Sequence, residues 1–179
     1  MIPTHFYLCA PSGAGKNALL SALQAFDSAP YVARRTITRL PDLTEESESV
    51  TESEFLQLKE TGTFALDWTA NGLSYGIRVS ELAAAERVIV NGSREYWPEA
   101  KKRLPELALV TIKVPEKLLK ERLIARGRES EFEIYARLKR NRELSQRFKH
   151  DSPFLTLMND RTPNDMAIDF MGAIACTFD

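Results

Sequence analysis

The stretch Ala10-Pro11-Ser12-Gly13-Ala14-Gly15-Lys16-Asn17 decides the fold of this chain. The apolar run 6–9 before it has the length of a buried strand, and residues 18–23 after it are apolar at helical spacing. A strand, a glycine-rich turn, Gly-Lys and a helix in this order are typical of a P-loop, whose backbone N–H groups surround phosphate. The helix N-terminus and the Lys16 ammonium would add positive charge. We therefore predict that residues 10–17 bind a nucleoside triphosphate.

Two positions depart from the strict P-loop pattern. Ala10 stands where the first glycine is expected, and Asn17 stands where Ser or Thr follows the lysine. Alanine costs little unless its φ is positive. The usual hydroxyl binds Mg²⁺, and the Asn17 amide oxygen can replace it because Mg²⁺ accepts neutral oxygens among several waters. Asn17 is thus a candidate metal ligand; the alternative interpretation of the stretch is a structural glycine turn beside an exposed lysine.

The composition is that of an ordinary globular domain. The chain has 179 residues, 44% of them hydrophobic and 27% charged, with a net charge of −1. Because there is no overall basic field and no apolar stretch long enough for a bilayer, we expect neither nucleic acid nor membrane as a partner. Residues 1–5 lead directly into the first strand, which predicts no signal peptide and a cytoplasmic location. Cys9 and Cys176 show no pairing pattern. The oligomeric state stays open, a homodimer included.

An arginine-rich segment follows the first helix, which we expect to end near 27–30. Residues 34–39 contain three arginines and two threonines, after a predicted short strand at 31–33. Guanidinium groups bind phosphate through charge-assisted, often bidentate hydrogen bonds. A charge run can equally be a solvated face, but a phosphotransferase needs a second anion site for its acceptor. We predict acceptor contacts from Arg35, Thr38 and Arg39.

Residues 34–85 are predicted to form a small α+β insertion that binds the acceptor. Residues 41–49 are acidic and polar and are expected to be a loop. Thr51 and Glu54 predict a capping box at the start of a helix that ends near Gly62. The runs 63–69 and 74–77 flank Asn71-Gly72, a strong hairpin signal.

The chain then returns to the main sheet. The apolar run in 87–91 is typical of a strand buried on both faces, whose carboxyl end opens onto a ligand crevice. Asn91, Ser93 and Arg94 are therefore candidate substrate-binding residues, although Asn-Gly-Ser is equally typical of a plain turn. Residues 107–114 predict the next strand, residues 154–160 predict the last strand and its turn, and a closing helix covers 165–178.

Four arginines fall in or beside two predicted helices that meet at Gly127. Arg122 and Arg126 are four residues apart and would share one helix face. The second helix should run from about 130 to 148. Together they predict a helical lid over about 122–140, whose arginines would stabilise the transferred phosphoryl group. These candidate catalytic residues, with Lys16, are Arg122, Arg126, Arg128 and Arg137. A solvated amphipathic hairpin is the alternative.

Taken together, these segments resemble the guanylate-kinase-like branch of the nucleoside monophosphate kinases over essentially the whole chain. The likeness rests on segments 11–16, 35–39, 68–76, 90–94 and 126–129. Within the branch, Asn71-Gly72-Leu73 and Asn91-Gly92-Ser93-Arg94 resemble the ribose 1,5-bisphosphate phosphokinases of phosphonate breakdown. Guanylate kinases usually carry acidic residues where this chain has Asn91 and Ser93. Their Gly-Glu followed by tyrosine, which helps to hold GMP, is degraded here to 44–48.

The resemblance implies a single kinase domain over 1–179, with a three-layer α/β P-loop NTPase fold around a parallel sheet. It implies phosphorylation of ribose 1,5-bisphosphate by ATP and Mg²⁺ to give 5-phosphoribosyl 1-diphosphate, with Tyr75 in the acceptor site. A phosphate-oxygen nucleophile needs no general base, which fits a chain whose two histidines lie outside the motifs. A guanylate kinase acting on GMP and a non-catalytic guanylate-kinase-like binding module remain the alternatives.

Overall fold

The computed structural model describes residues 3–39, 47–127, 129–148 and 151–175. Most of the predicted acidic loop, together with Arg128 and Cys176, lies outside these ranges. The chain divides into two compact units. One contains Leu8–Ala29 and the chain from Ala108 onward, and the other contains Pro3–Tyr7 and Pro30–Leu107. The first strand contributes residues to both units.

The described residues form nine strands and seven helices. The strands are β1 (His5–Cys9), β2 (Tyr31–Val32), β3 (Arg35–Ile37), β4 (Ser47–Ser49), β5 (Phe64–Ala70), β6 (Leu73–Arg78), β7 (Val88–Asn91), β8 (Ala108–Lys113) and β9 (Leu155–Met158). The helices are α1 (Lys16–Leu23), α2 (Glu52–Glu60), α3 (Val79–Leu82), α4 (Trp97–Arg103), α5 (Glu116–Arg126), α6 (Glu131–Arg147) and α7 (Pro163–Ala175). Sequence reasoning did not predict α3 and α4. No described helix has both the length and the apolar character needed to cross a membrane.

A five-stranded sheet has the order β2-β7-β1-β8-β9. Its outer pairs are parallel: Tyr31 of β2 lies opposite Val88 of β7, and Val110 of β8 lies opposite Leu155 of β9. The four residues of β7 are all buried, as expected of a parallel strand that is covered on both faces. The predicted α/β architecture with a parallel sheet is confirmed.

A second sheet, in the order β4-β3-β6-β5, lies wholly within the unit that contains Pro30–Leu107. Strands β5 and β6 form the predicted antiparallel hairpin. Its turn has positive φ at both central residues, 52° at Asn71 and 75° at Gly72. Two positive φ values are the signature of a type I′ turn, which matches the twist of the flanking strands.

The prediction of a loop over 41–49 is wrong for its last residues, because 47–49 form the edge strand β4. Its backbone pairs in parallel with β3. Arg78 makes two hydrogen bonds to the Glu48 carboxylate, at 2.9 and 2.8 Å, and the Thr36 hydroxyl donates a third at 2.7 Å. Burial opposes the ionisation of Glu48, but these hydrogen bonds and the positive charges of Arg78 and Arg34 outweigh it, so the pKa of Glu48 is lowered. The ion pair between Arg78 and Glu48 therefore stabilises a strand in a segment whose polar composition predicted a loop.

Capping boxes begin two of the helices. In the predicted box of α2, the Glu54 N–H donates to Thr51 Oγ1 at 3.2 Å and the Glu54 carboxylate accepts from the Thr51 N–H at 2.7 Å. Helix α2 ends before Gly62, whose φ of 70° is the left-handed conformation expected after a helix. Ser130 and Glu133 form an equivalent box at the start of α6 that sequence reasoning missed.

One carboxylate ties two helices to the second sheet. Asp67 of β5 accepts from Lys59 Nζ of α2 at 2.6 Å and from Arg103 Nη1 of α4 at 2.7 Å. The Tyr96 hydroxyl accepts from the same guanidinium at 2.9 Å. Burial opposes the ionisation of Asp67, but hydrogen bonds from both cations and their charges outweigh it, so the pKa of Asp67 lies below its usual range.

Replacing Asp67 with Asn should lower the free energy of unfolding by about 1–3 kcal/mol at pH 7, because Lys59 and Arg103 lose their carboxylate partner. The folded-state pKa is depressed, so this contribution is complete above the unfolded aspartate pKa of about 3.9 and is lost as pH falls through the folded value. Urea unfolding of both proteins at several pH values measures the difference. Asp160→Asn is the control, because this aspartate is exposed and its ion pair with Arg161 spans 3.8 Å. A difference that stays constant down to the most acidic pH would contradict the ion-pair account.

Candidate functional site

The segment between β1 and α1 has the geometry of an anion cradle. Gly13 and Gly15 have φ values of 86° and 93°, and Gly15 is the residue before the first turn of α1. Ala14 N–H donates to Pro11 O at 3.0 Å, which closes a tight turn inside the loop. Left-handed residues in alternation turn successive backbone N–H groups toward one side, and the helix N-terminus adds its unpaired amides. The arrangement can hold a phosphate.

The surroundings of both glycines leave little room for a side chain, and their φ values also favour glycine. A Cβ on Gly13 would lie 3.1 Å from Leu123 Cδ2 and 3.3 Å from Leu119 Cδ1, both on helix α5. A Cβ on Gly15 would overlap the amide nitrogen of Asn159. The loop therefore packs against α5 and against the end of β9. By contrast Ala10, at the position of the first glycine in the strict pattern, is not among the positive-φ residues, so alanine is unstrained there.

Lys16 and Asn17 open helix α1, with Lys16 half-buried and Asn17 exposed. Both side chains are thus at the end of the helix that carries the unpaired amides. Within the described ranges, no group of three or more His, Cys, Asp or Glu side chains is placed to hold a metal ion. All eight predicted P-loop residues lie in the loop between β1 and α1 or in the first turn of α1.

Two of the four predicted catalytic arginines, Arg137 and Arg122, contact the loop or a residue that is hydrogen-bonded to it. Arg137 Nη1 of α6 donates to Ser12 Oγ at 2.6 Å, and its Nη2 pairs with Glu129 at 2.5 Å. Arg122 Nη2 of α5 donates to Asn159, at 3.3 Å to the backbone oxygen and 3.2 Å to Oδ1. Arg126 is exposed at the end of α5. Arg128 lies outside the described residues.

Asn159 is a site residue that sequence reasoning missed. It is 5% exposed, and its Nδ2 donates to Ala14 O at 2.7 Å. Its backbone N–H donates to Lys113 O at 2.8 Å, which places it directly beyond the paired ends of β8 and β9. The available signal was its position: a polar residue immediately after an apolar strand of a parallel sheet falls at the edge where ligands bind.

The other unit brings together part of the predicted acceptor site. The Arg35 guanidinium lies 5.7 Å from the centroid of the Tyr75 ring. These two residues come from the neighbouring strands β3 and β6. Thr38 Oγ1 accepts from Ser74 N–H at 2.9 Å, so this hydroxyl extends the contact between the same strands. Arg39 is half-buried just after β3.

An aromatic stack supports Tyr75. Trp68 stacks on Tyr75 at a centroid distance of 5.5 Å with an 8° angle between the rings, and on Tyr96 at 5.4 Å with a 22° angle. Tyr96 is in turn hydrogen-bonded to Arg103. The stack restricts the orientation of Tyr75 and hence of the surface that Arg35 faces. Sequence reasoning identified Tyr75 as a candidate site residue, but it did not identify Trp68 or Tyr96 as the residues that support its ring.

The segment after β7 is fixed by a buried tyrosine. The Tyr7 hydroxyl donates to Ser93 O at 2.9 Å and accepts from Ser93 N–H at 3.0 Å. A Cβ on Gly92 would overlap the Tyr7 ring. Asn91 is 6% exposed, and its Oδ1 is buried with no hydrogen-bond partner among the described residues. A buried oxygen without a hydrogen bond carries a desolvation cost, which makes Asn91 an unusual residue in this part of the fold.

Comparison with known proteins gives a consistent set of relatives. No family model matches the chain. The ribose 1,5-bisphosphate phosphokinase PhnN of Pseudomonas paraeruginosa is 44% identical over 146 residues, covering 78% of this chain and 78% of the relative. The proteins of the same name from Pseudomonas fluorescens and Thiobacillus denitrificans are 42% and 43% identical, over 75% and 77% of this chain and 74% and 76% of their own lengths.

Solved structures show the fold. A guanylate kinase from Anaplasma phagocytophilum matches with a TM-score of 0.70 at 15% identity, over 98% of this chain and 86% of the other. A gluconokinase from Sinorhizobium meliloti matches with a TM-score of 0.54 at 16% identity, over 98% of this chain and 93% of the other. The guanylate-kinase-like P-loop fold is thereby confirmed.

Gly92→Ala should lower the free energy of unfolding by about 1–3 kcal/mol, because the new methyl group must displace the Tyr7 ring from a packed site. Gly172→Ala is the matched control: that glycine lies in helix α7 with open space at the Cβ position. The control should stabilise the protein by about 0.5–1 kcal/mol through helix propensity. Chemical denaturation of the two variants measures both effects. Equal stability of the two variants would show that Tyr7 does not fix this turn.

Proposed function

The chain belongs to the ribose 1,5-bisphosphate phosphokinase family, and on this premise we propose that it transfers the γ-phosphoryl group of ATP to ribose 1,5-bisphosphate. The product is 5-phosphoribosyl 1-diphosphate. The observation that carries the proposal is the anion cradle around Gly13 and Gly15 in a chain 44% identical to a relative of that name. Both substrates are small metabolites of the cytoplasm, where we expect the enzyme to act.

In this proposal the cradle binds the ATP phosphates. The N–H groups of 13–16 would donate to phosphate oxygens, and the Lys16 ammonium would neutralise the β- and γ-phosphates. Mg²⁺ usually keeps several waters and binds through one or two carboxylates and the substrate phosphates, and it also accepts neutral oxygens. The exposed Asn17 amide at the first turn of α1 would supply the protein oxygen. Mg²⁺ would neutralise charge on the nucleotide.

The acceptor would bind in the unit that contains β3, β6 and β7. Arg35 beside Tyr75, together with Arg39, supplies positive charge and hydrogen-bond donors for phosphate. Asn91 Oδ1, buried and without a hydrogen-bond partner among the described residues, would accept from a sugar hydroxyl. Thr38, Ser93 and Arg94 would complete the site. Neutral residues at 91 and 93, where guanylate kinases usually carry acidic ones, suit an acceptor that has phosphates and no base.

The chemistry requires positioning more than acid–base catalysis. An oxygen of the acceptor 1-phosphate attacks the γ-phosphorus in line, the bond from that phosphorus to the β–γ bridging oxygen breaks, and ADP leaves. A phosphate monoester is mostly ionised at neutral pH, with a second pKa of about 6, so no general base is needed. Of the four arginines predicted to stabilise charge on the moving phosphoryl group, we keep Arg126, Arg128 and Arg137, because Arg122 donates to Asn159. The contact of Arg137 with Ser12 supports its place in this set.

Purified protein with Mg²⁺-ATP and either ribose 1,5-bisphosphate or GMP should release ADP with the sugar bisphosphate and not with GMP. Turnover with GMP alone would replace the proposal with a guanylate kinase. ATP binding without turnover of either acceptor would favour a non-catalytic binding module.

Lys16→Ala should lower kcat about 100-fold or more, the size of effect seen when one preorganised donor to a developing charge is lost. Its thermal unfolding midpoint should stay close to that of the wild type, because the ammonium is used for ligand binding. Lys117→Ala, at an exposed lysine of α5, is the control and should keep wild-type turnover. A near-wild-type kcat in the Lys16 variant would contradict the proposal that this loop binds the phosphates of ATP during transfer.

A further inference from the structure

The contacts of Arg122 give it a role different from that of the other candidate arginines. Its Nη2 donates to two oxygens of Asn159, and Asn159 Nδ2 donates to Ala14 O. Ala14 lies between Gly13 and Gly15, the two left-handed residues of the cradle. A continuous set of hydrogen bonds thus joins a cationic side chain on α5 to the backbone of the anion cradle.

The direction of these bonds fixes the orientation of the Asn159 amide. A guanidinium can only donate, so the atom of Asn159 that faces Arg122 must be the oxygen. The amide NH₂ then faces Ala14 O, where a donor is needed. Without Arg122 the amide could turn over, and two oxygens would meet at Ala14. The arginine therefore selects the one amide orientation that holds the loop.

Burial makes this small network important for the loop. Asn159 is 5% exposed, so water cannot readily replace it as the donor to Ala14 O. Its amide nitrogen also occupies the space next to Gly15 in which a Cβ would sit. The backbone of Asn159 is anchored to Lys113 O, at the end of β8. The sheet edge, through Asn159, therefore restrains the Ala14–Gly15 peptide.

We propose that Arg122 is a positioning residue, which acts through the Asn159 amide to hold the phosphate cradle and does not contact the transferred phosphoryl group. The identity of the nucleotide as ATP rests on the proposed function. ATP and ADP both place a β-phosphate in such a cradle, whereas only ATP has a γ-phosphate. Loss of a positioning residue should weaken the binding of both nucleotides by the same factor, and loss of a γ-phosphate contact should weaken ATP alone.

Calorimetric titration with Mg²⁺-ATP and Mg²⁺-ADP tests this in Arg122→Gln, Asn159→Ala and the double variant. Asn159→Ala should raise both Kd values about fivefold to tenfold, the range expected for one lost hydrogen bond of about 1 kcal/mol. Arg122→Gln should raise both about threefold or more. In the double variant the Kd values should not exceed those of Asn159→Ala, because the two residues act through one contact. Lys120→Gln removes a charge from the exposed face of α5 and should change neither Kd.

A second variant separates cradle positioning from general stability. Asn159→Asp keeps the size of the side chain and its acceptor for Arg122, but it presents an oxygen to Ala14 O in place of the N–H donor. It should lose nucleotide affinity at least as strongly as Asn159→Ala, at a temperature where melting curves show all variants folded. Wild-type affinity for both nucleotides in Asn159→Asp would overturn the proposal.

The proposal is also overturned if Arg122→Gln weakens ATP and leaves ADP unchanged, or if its effect is as large in the Asn159→Ala background as in the wild type. The first result would place the guanidinium on the γ-phosphate, and the second would show that Arg122 acts independently of Asn159. The titrations need no acceptor, so an enzyme that failed to use ribose 1,5-bisphosphate would still give a clear answer about Arg122. Conversely, the activity assay of the wild type with the sugar bisphosphate tests the proposed function independently of the titration results.

Discussion

The structure depends on the backbone conformation of the loop between β1 and α1, which can turn several N–H groups toward an anion. Such a loop requires left-handed residues at Gly13 and Gly15, a conformation that only glycine adopts without strain. Glycine is also the residue that loses most conformational freedom on ordering, so the loop needs support from its surroundings. Leu119 and Leu123 pack against Gly13, and the Asn159 amide holds Ala14 O. Helix α5 and the end of β9 thus hold the loop in the conformation that its glycines allow.

The second unit is organised around a cation that lies on an aromatic surface. Arg35 lies over the face of Tyr75, a contact that can stabilise a cation. Trp68 stacks on Tyr75 from β5, and Asp67 on the same strand pairs with cations from α2 and α4. The fold is shared with a guanylate kinase at 15% identity, and a shared fold does not by itself determine which acceptor is bound.

Local signals explain what the sequence predicted well. Asn71-Gly72, the Thr51–Glu54 box and the glycines of the P-loop all act within a few residues, and the structure has each of them as expected. The errors arise where distant residues decide the outcome. Strand β4 forms because Arg78 and Thr36 hold Glu48, and Asn159 supports a loop 145 residues earlier in the chain. No local pattern around 48 contains that information. The position of Asn159 after an apolar strand indicates the edge of the sheet, but it does not indicate the contact with Ala14.

The central claim is that the nucleophile is a phosphate oxygen of a sugar bisphosphate. Phosphorus NMR of the product formed from ribose 1,5-bisphosphate and Mg²⁺-ATP tests it most directly. The account predicts two new, mutually coupled phosphorus signals in the sugar product, because a diphosphate forms at C1 while the 5-phosphate keeps its environment. A new uncoupled phosphomonoester signal would mean that a sugar hydroxyl is the nucleophile. That result would contradict the account, because a hydroxyl would need the general base that this mechanism omits.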